Sequence, residues 1–147
     1  MLEAAQLLAT LCCTLFSGAA IYINLVEHPA RMGCATEIAA TVWAPSYRRA
    51  TLMQASLGIA SLLCGVLAWL LGGGIAWLGG ALLIGLVVPF TFVAIMPTNH
   101  RLLEPGRDLS SPETRQLLDR WGRLHGVRSG LGLAASLVYL LQLLLGA

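Results

Sequence analysis

Residues Ala50 to Met96 read ATLMQASLGIASLLCGVLAWLLGGGIAWLGGALLIGLVVPFTFVAIM, without one charged side chain. Crossing a hydrocarbon core of about 30 Å takes roughly 20 apolar residues at about 1.5 Å rise each. The stretch holds two such runs, Ala50 to Leu71 and Ile75 to Met96, joined by Gly72-Gly73-Gly74. It therefore predicts a helical hairpin whose turn has no room for a loop. Two further runs, Ala4 to Val26 and Gly126 to Leu145, bring the count to four spans. The chain is 57% hydrophobic and 11% charged, with a mean hydropathy of +0.77, whereas a soluble domain carries roughly a quarter charged residues. The fold class expected is all-α: an integral membrane four-helix bundle, one domain over residues 1–147, with the lipid bilayer as its partner.

All nine arginines, and every acidic residue except Glu3, fall between Glu27 and Arg49 or between Arg101 and Arg128. Positive charge in short loops is retained on the cytoplasmic side. Both termini are thus expected outside, with the two longer loops in the cytoplasm. The acid in the Met-Leu-Glu leader argues against a cleaved signal peptide, which opens on a basic region. Arginine without lysine suggests a GC-rich bacterial genome, hence a multi-pass protein of the bacterial cytoplasmic (inner) membrane. A net charge of +2 gives no case for nucleic acid.

Pro29 is expected to stop span one at His28, and Pro97 to stop span three near Met96. Met32 to Trp43 reads as a separate interfacial helix. Span four is expected to begin beyond the membrane, with Ser110 or Ser111 as N-cap, Pro112 in the first turn and Glu113 near the positive end of the helix dipole. Cys12, Cys13, Cys34 and Cys64 show no CxxC spacing and read as small apolar residues, leaving no metal site. Glycine spacings such as Gly126 and Gly130 suit close helix contact, within one chain or in a homodimer.

The inner ends of the four spans are polar and meet at one face. Asn24, Glu27 and His28 recur at i, i+3 and i+4; Tyr47, Thr51 and Gln54 at i, i+4 and i+7, as do Trp121, His125 and Arg128. Such stripes on three helices point to an inward-facing polar pocket. Burying a charge at the membrane centre costs on the order of 3 kcal/mol, so Glu27 is expected to pair with Arg48, Arg49 or Arg128. His28 and His125, each one turn inside the interface, are the candidate functional histidines, and His100 reads as a loop residue. Trp43 and Trp121 can serve as interfacial anchors or as aromatic walls.

Four strings carry a family resemblance: Tyr22-Ile-Asn-Leu-Val-Glu27-His28-Pro29-Ala-Arg31; Pro45-Ser-Tyr-Arg-Arg-Ala-Thr51-Leu-Met-Gln54-Ala; Pro89-Phe-Thr with Ile95-Met-Pro-Thr-Asn99; and Trp121-Gly-Arg-Leu-His125-Gly-Val-Arg128. With Trp43, they resemble the small four-helix membrane proteins of the anthrone oxygenase-like family, most bacterial members of which carry a domain-of-unknown-function label. The resemblance implies monooxygenase chemistry on an aromatic, anthrone or quinol-like small molecule with O2 and no cofactor. An anthrone has an acidic CH2 beside an aromatic ketone, so the chemistry needs a base and a partner for the enolate oxygen. His125 is the expected base and His28 the alternate. Arg128 and Asn99 are the oxyanion partners, Trp121 and Tyr47 the walls. Asn24 and Gln54 are further substrate-binding candidates, and Glu27 would orient a histidine or balance an arginine. Two readings compete: a haem- or quinone-binding redox module using His28 and His125, and a non-catalytic carrier or assembly subunit for a hydrophobic small molecule.

Overall fold

The computed structural model describes residues 1–146. Four helices are long and apolar enough to cross a membrane: α1 (Leu2–Met32), α2 (Thr36–Gly73), α3 (Ile75–Leu102) and α4 (Pro112–Leu145). Consecutive helices run antiparallel, and α1 closes the ring by packing on both α2 and α4. This is the up-down-up-down arrangement that short connections favour.

The bundle is built inside out relative to a soluble one. Ala9, Cys13, Ala20, Ala68, Ala81 and Ala135 are completely buried, while leucines such as Leu11, Leu63, Leu133 and Leu144 face outward. Between helices in lipid, small side chains gain by letting backbones approach, and outward leucines cost nothing against acyl chains. Gly80 shows how tight the approach is: a Cβ there would overlap the Tyr139 ring, which stacks on Trp77 at 5.1 Å between centroids.

The turn between α2 and α3 forms where the sequence places it. Gly72 and Gly74 have φ of 92° and 95°, a region that side chains disfavour and glycine tolerates. Ser111 is the N-cap of α4, its hydroxyl accepting from the Thr114 amide at 3.2 Å, and Pro112 opens the helix. In the preceding loop the hydroxyl and amide of Ser110 bond the Asp108 carboxyl and hold it below its ordinary pKa.

Three boundaries differ from expectation. Helix α1 does not stop at His28; it continues through Pro29 to Met32 after a π-helical turn over Ile23–Glu27. Helix α3 likewise passes Pro97 to Leu102, following a π-helical turn over Thr91–Ile95. A widened turn with an added residue relieves the clash between a proline ring and the carbonyl one turn earlier. Met32 to Trp43 is not a separate interfacial helix: from Thr36 onward it belongs to α2, with Pro45 inside. Ala39, Ala40 and Trp43 bury one stripe of that extension against Ile95, Leu118 and Trp121, and this packing keeps the segment helical through the proline.

Candidate functional site

The polar residues gather at the end of the bundle away from the Gly72–Gly74 turn. Helix α1 brings Asn24, Glu27, His28 and Arg31; α2 brings Trp43, Ser46, Tyr47 and Gln54; α4 brings Trp121, His125, Arg128 and Ser129. The aromatic rings form a connected wall. Tyr47 stacks on Trp43 at 5.0 Å, Trp43 meets Trp121 edge-on at 5.8 Å, and Trp121 lies 4.8 Å from His125 and 5.3 Å from His28. Trp43 and Trp121 are both buried inside the bundle, and Trp121 lines the slot described below.

His125 is 2% exposed, and its Nδ1 lies 2.6 Å from Asn24 Oδ1. The amide of Asn24 is oriented by its other contact, Nδ2 donating to the Gly122 carbonyl at 2.9 Å. A carbonyl only accepts, so the amide nitrogen must face Gly122 and the amide oxygen must face the imidazole. Asn24 Oδ1 therefore accepts from His125 Nδ1–H, and also from the Ser129 hydroxyl at 2.6 Å. In a neutral imidazole held this way, Nε2 carries the free lone pair. Gly122 has a second use: a Cβ there would overlap the His28 ring, so the glycine lets His28 lie against α4.

Arg128 sits one turn from His125 on α4, 9% exposed. Its Nη2 donates to Gln54 Oε1 at 3.0 Å, and its guanidinium carbon lies 5.7 Å from the centre of the Phe16 ring. Among the described residues no carboxylate pairs with it, while Arg128 Nε and Gln54 Nε2 have no hydrogen-bond partner. The cation–π contact offsets part of the burial cost, yet the charge lacks a counterion.

Glu27 pairs with none of the arginines expected for it. It binds Arg31, one turn on along α1, and accepts from Ser46 of α2. Arg48 and Arg49 are exposed. Arg31 and Ser46 are thus members of the site not picked out from sequence. The i, i+4 spacing of Glu27 and Arg31 was a usable signal, masked by the expectation that the helix ends at His28.

Glu27, Arg31, Ser46, Tyr47, Thr51, Gln54, Trp121, His125 and Arg128, with Ile23 and Ala50, line one slot of about 10 Å³, room for about one water molecule. Asn24 stands behind His125, and His28 behind Trp121. Neither is among the residues lining the slot. Asn99 on α3 also lies off the slot, completely buried, with both amide atoms unpartnered beside an equally unpartnered Thr98 hydroxyl.

Fold and site together define a four-helix membrane-type protein with a buried histidine and an uncompensated arginine at one end of the bundle. The anthrone oxygenase family model matches residues 43–138, and the chain belongs to that family. The match includes Tyr47, Gln54, Asn99, Trp121, His125 and Arg128, while Asn24, Glu27 and His28 precede it. No curated protein and no solved structure matches the chain.

Proposed function

We propose that the protein is a cofactor-independent monooxygenase that oxidises an anthrone-type aromatic ketone to the corresponding quinone with O2. The observation that carries this reading is the pairing on α4 of a histidine held with Nε2 free and a buried arginine with no carboxylate. In this reading His125 Nε2 takes a proton from the acidic CH2. The enolate oxygen then meets the Arg128 guanidinium, whose missing countercharge the substrate provides as the reaction proceeds. The carbanion transfers an electron to O2, and recombination places a peroxide on the former CH2 carbon. His125 returns its proton to the outer peroxide oxygen, and loss of water, built from that oxygen, that proton and the remaining C–H proton, leaves the second carbonyl and a neutral imidazole. One anthrone and one O2 give one anthraquinone and one water.

Topology fits the same reading. The arginine excess at the polar end supports a cytoplasmic placement of the site, in the inner membrane of a bacterium. The test is oxygen uptake by the purified protein in lipid nanodiscs with anthrone. Uptake matched by anthraquinone formation is expected, and His125→Gln is expected to remove it while leaving the helical circular dichroism unchanged. Uptake no faster than in empty nanodiscs, or undiminished in the variant, would overturn the proposal. A stoichiometric Soret band that shifts on reduction would reassign the histidines to haem.

A further inference from the structure

The slot beside His125 is too small for an aromatic substrate, but a second cavity adjoins it. Tyr47, Thr51, Gln54 and Arg128 line both. From these shared residues the second cavity runs between α2 and α3 past Gly58, Ile59, Val88, Phe92 and Met96, with a volume of about 240 Å³. That approaches the roughly 300–1,000 Å³ of cavities that take small organic ligands. Ile59, Val88 and Phe92 are exposed on the apolar outer surface, so the cavity is a groove open sideways to the bilayer.

Its origin lies in how α2 and α3 pack. Near the glycine turn they are in contact, with Gly65 against Ala81 and Leu62 against Gly85. Beyond Val87, α3 leans on α4, and the two arms of the hairpin separate. The groove fills the resulting gap and ends at Arg128.

We infer that this groove is the seat of the substrate and its route from the bilayer. Its ligand is a planar aromatic molecule with one ionisable oxygen on Arg128 and Gln54 and its rings along α2 and α3. The inference rests on the oxygenase reading for the identity of that ligand. What points to such a ligand is the groove's inner end. Arg128 and Gln54 are each more than nine-tenths buried, each keeps an unpartnered N–H group, and the guanidinium has no anion. An oxygen that becomes negative meets both needs, and an apolar ring system suits the remaining walls. The slot, which His125 lines and the groove does not, then holds what its size allows, a water through which the substrate's proton reaches His125 Nε2.

Benzophenone tests this directly, because it is a diaryl ketone that inserts into nearby C–H bonds on irradiation. With the full-length protein in phosphatidylcholine nanodiscs, adducts mapped by mass spectrometry are expected on Ile59, Val88, Phe92 and Met96, and excess anthrone should displace them. Adducts spread over lipid-facing residues such as Leu11 and Leu133 would overturn the proposal. So would groove adducts that anthrone does not displace, which would mark a crevice for acyl chains. Gly58→Leu fills the groove where its neighbour Phe16 stands at ordinary contact distance, and Ala55→Leu does so from an exposed position. Either should cut groove labelling at least tenfold, and unchanged labelling in a folded variant would count against the seat. Labelling needs no turnover. Labelling without oxygen uptake would remove the oxygenase and keep the groove, and uptake with labelling elsewhere would do the reverse.

Discussion

Asn24 Oδ1 and His125 Nδ1 lie 2.6 Å apart across the α1–α4 interface, with the amide of Asn24 fixed by the Gly122 carbonyl behind it. On the proposed reading Asn24 is a positioning residue, because its amide oxygen sets which imidazole nitrogen keeps its proton. Asn24→Leu removes that control and takes one hydrogen bond each from Ser129, which keeps the His125 carbonyl at 3.3 Å, and from the Gly122 carbonyl. The expected outcome is a fall in kcat of roughly a hundredfold, at the lower end of the about 10²–10⁴-fold that general-base catalysis contributes, with little change in KM. A substrate titration of oxygen uptake separates the two. An equal rise in KM with kcat intact would place Asn24 on the substrate and remove it from the histidine.

Arg128 sets stability against function. A charge buried without a partner is costly, and replacing buried charged groups by apolar ones of similar volume often stabilises by about 1–4 kcal/mol. Arg128→Met combined with Gln54→Leu removes the guanidinium and the amide that depends on it. Thermal unfolding in nanodiscs is expected to shift upward by the equivalent of about 1–3 kcal/mol. Turnover should fall by a factor of about 10²–10³, the loss typical of removing an oxyanion donor. A double variant that loses stability would show that the arginine is already compensated.

Neighbouring glycines on α3 give a clean packing test. A Cβ on Gly79 meets nothing within 4 Å, whereas one on Gly80 would collide with the Tyr139 ring. Gly79→Ala should be neutral or stabilising by about 0.5–1 kcal/mol through helix propensity. Gly80→Ala should cost roughly 1–3 kcal/mol through overpacking. Chemical or thermal unfolding of the two variants side by side distinguishes them, and equal effects would contradict the close contact of α3 and α4.

What could be read in the sequence follows from which signals are local. The uncharged run from Ala50 to Met96, the Gly72–Gly74 turn and the Ser111 cap depend on adjacent residues, and each lies where its sequence puts it. The stops assigned to Pro29 and Pro97 failed because a π-helical turn, which the local sequence does not announce, absorbs each proline. With the end of α1 misplaced, the Glu27–Arg31 pair was hidden and Glu27 was assigned to distant arginines. The polar stripes of α1, α2 and α4 do converge. However, which members line the slot depends on helix rotation, so Asn24 and His28 stand behind it. The groove was illegible for the same reason, since it exists only because α3 leans toward α4 beyond Val87.

Asn99 is the residue whose burial most needs a reason. It is completely buried on α3 with neither amide atom bonded, and the Thr98 hydroxyl beside it is equally unpartnered. A buried polar group without a partner costs about 1–3 kcal/mol, so a residue of similar size without polar atoms should hold the fold better. Asn99→Leu is therefore expected to raise thermal stability by about that amount. Its effect on turnover separates two roles. If the amide joins Arg128 at the developing oxyanion once substrate binds, anthrone oxidation should drop at least tenfold despite the gain in stability. If turnover is unchanged in a more stable protein, the oxyanion role belongs to Arg128 without Asn99.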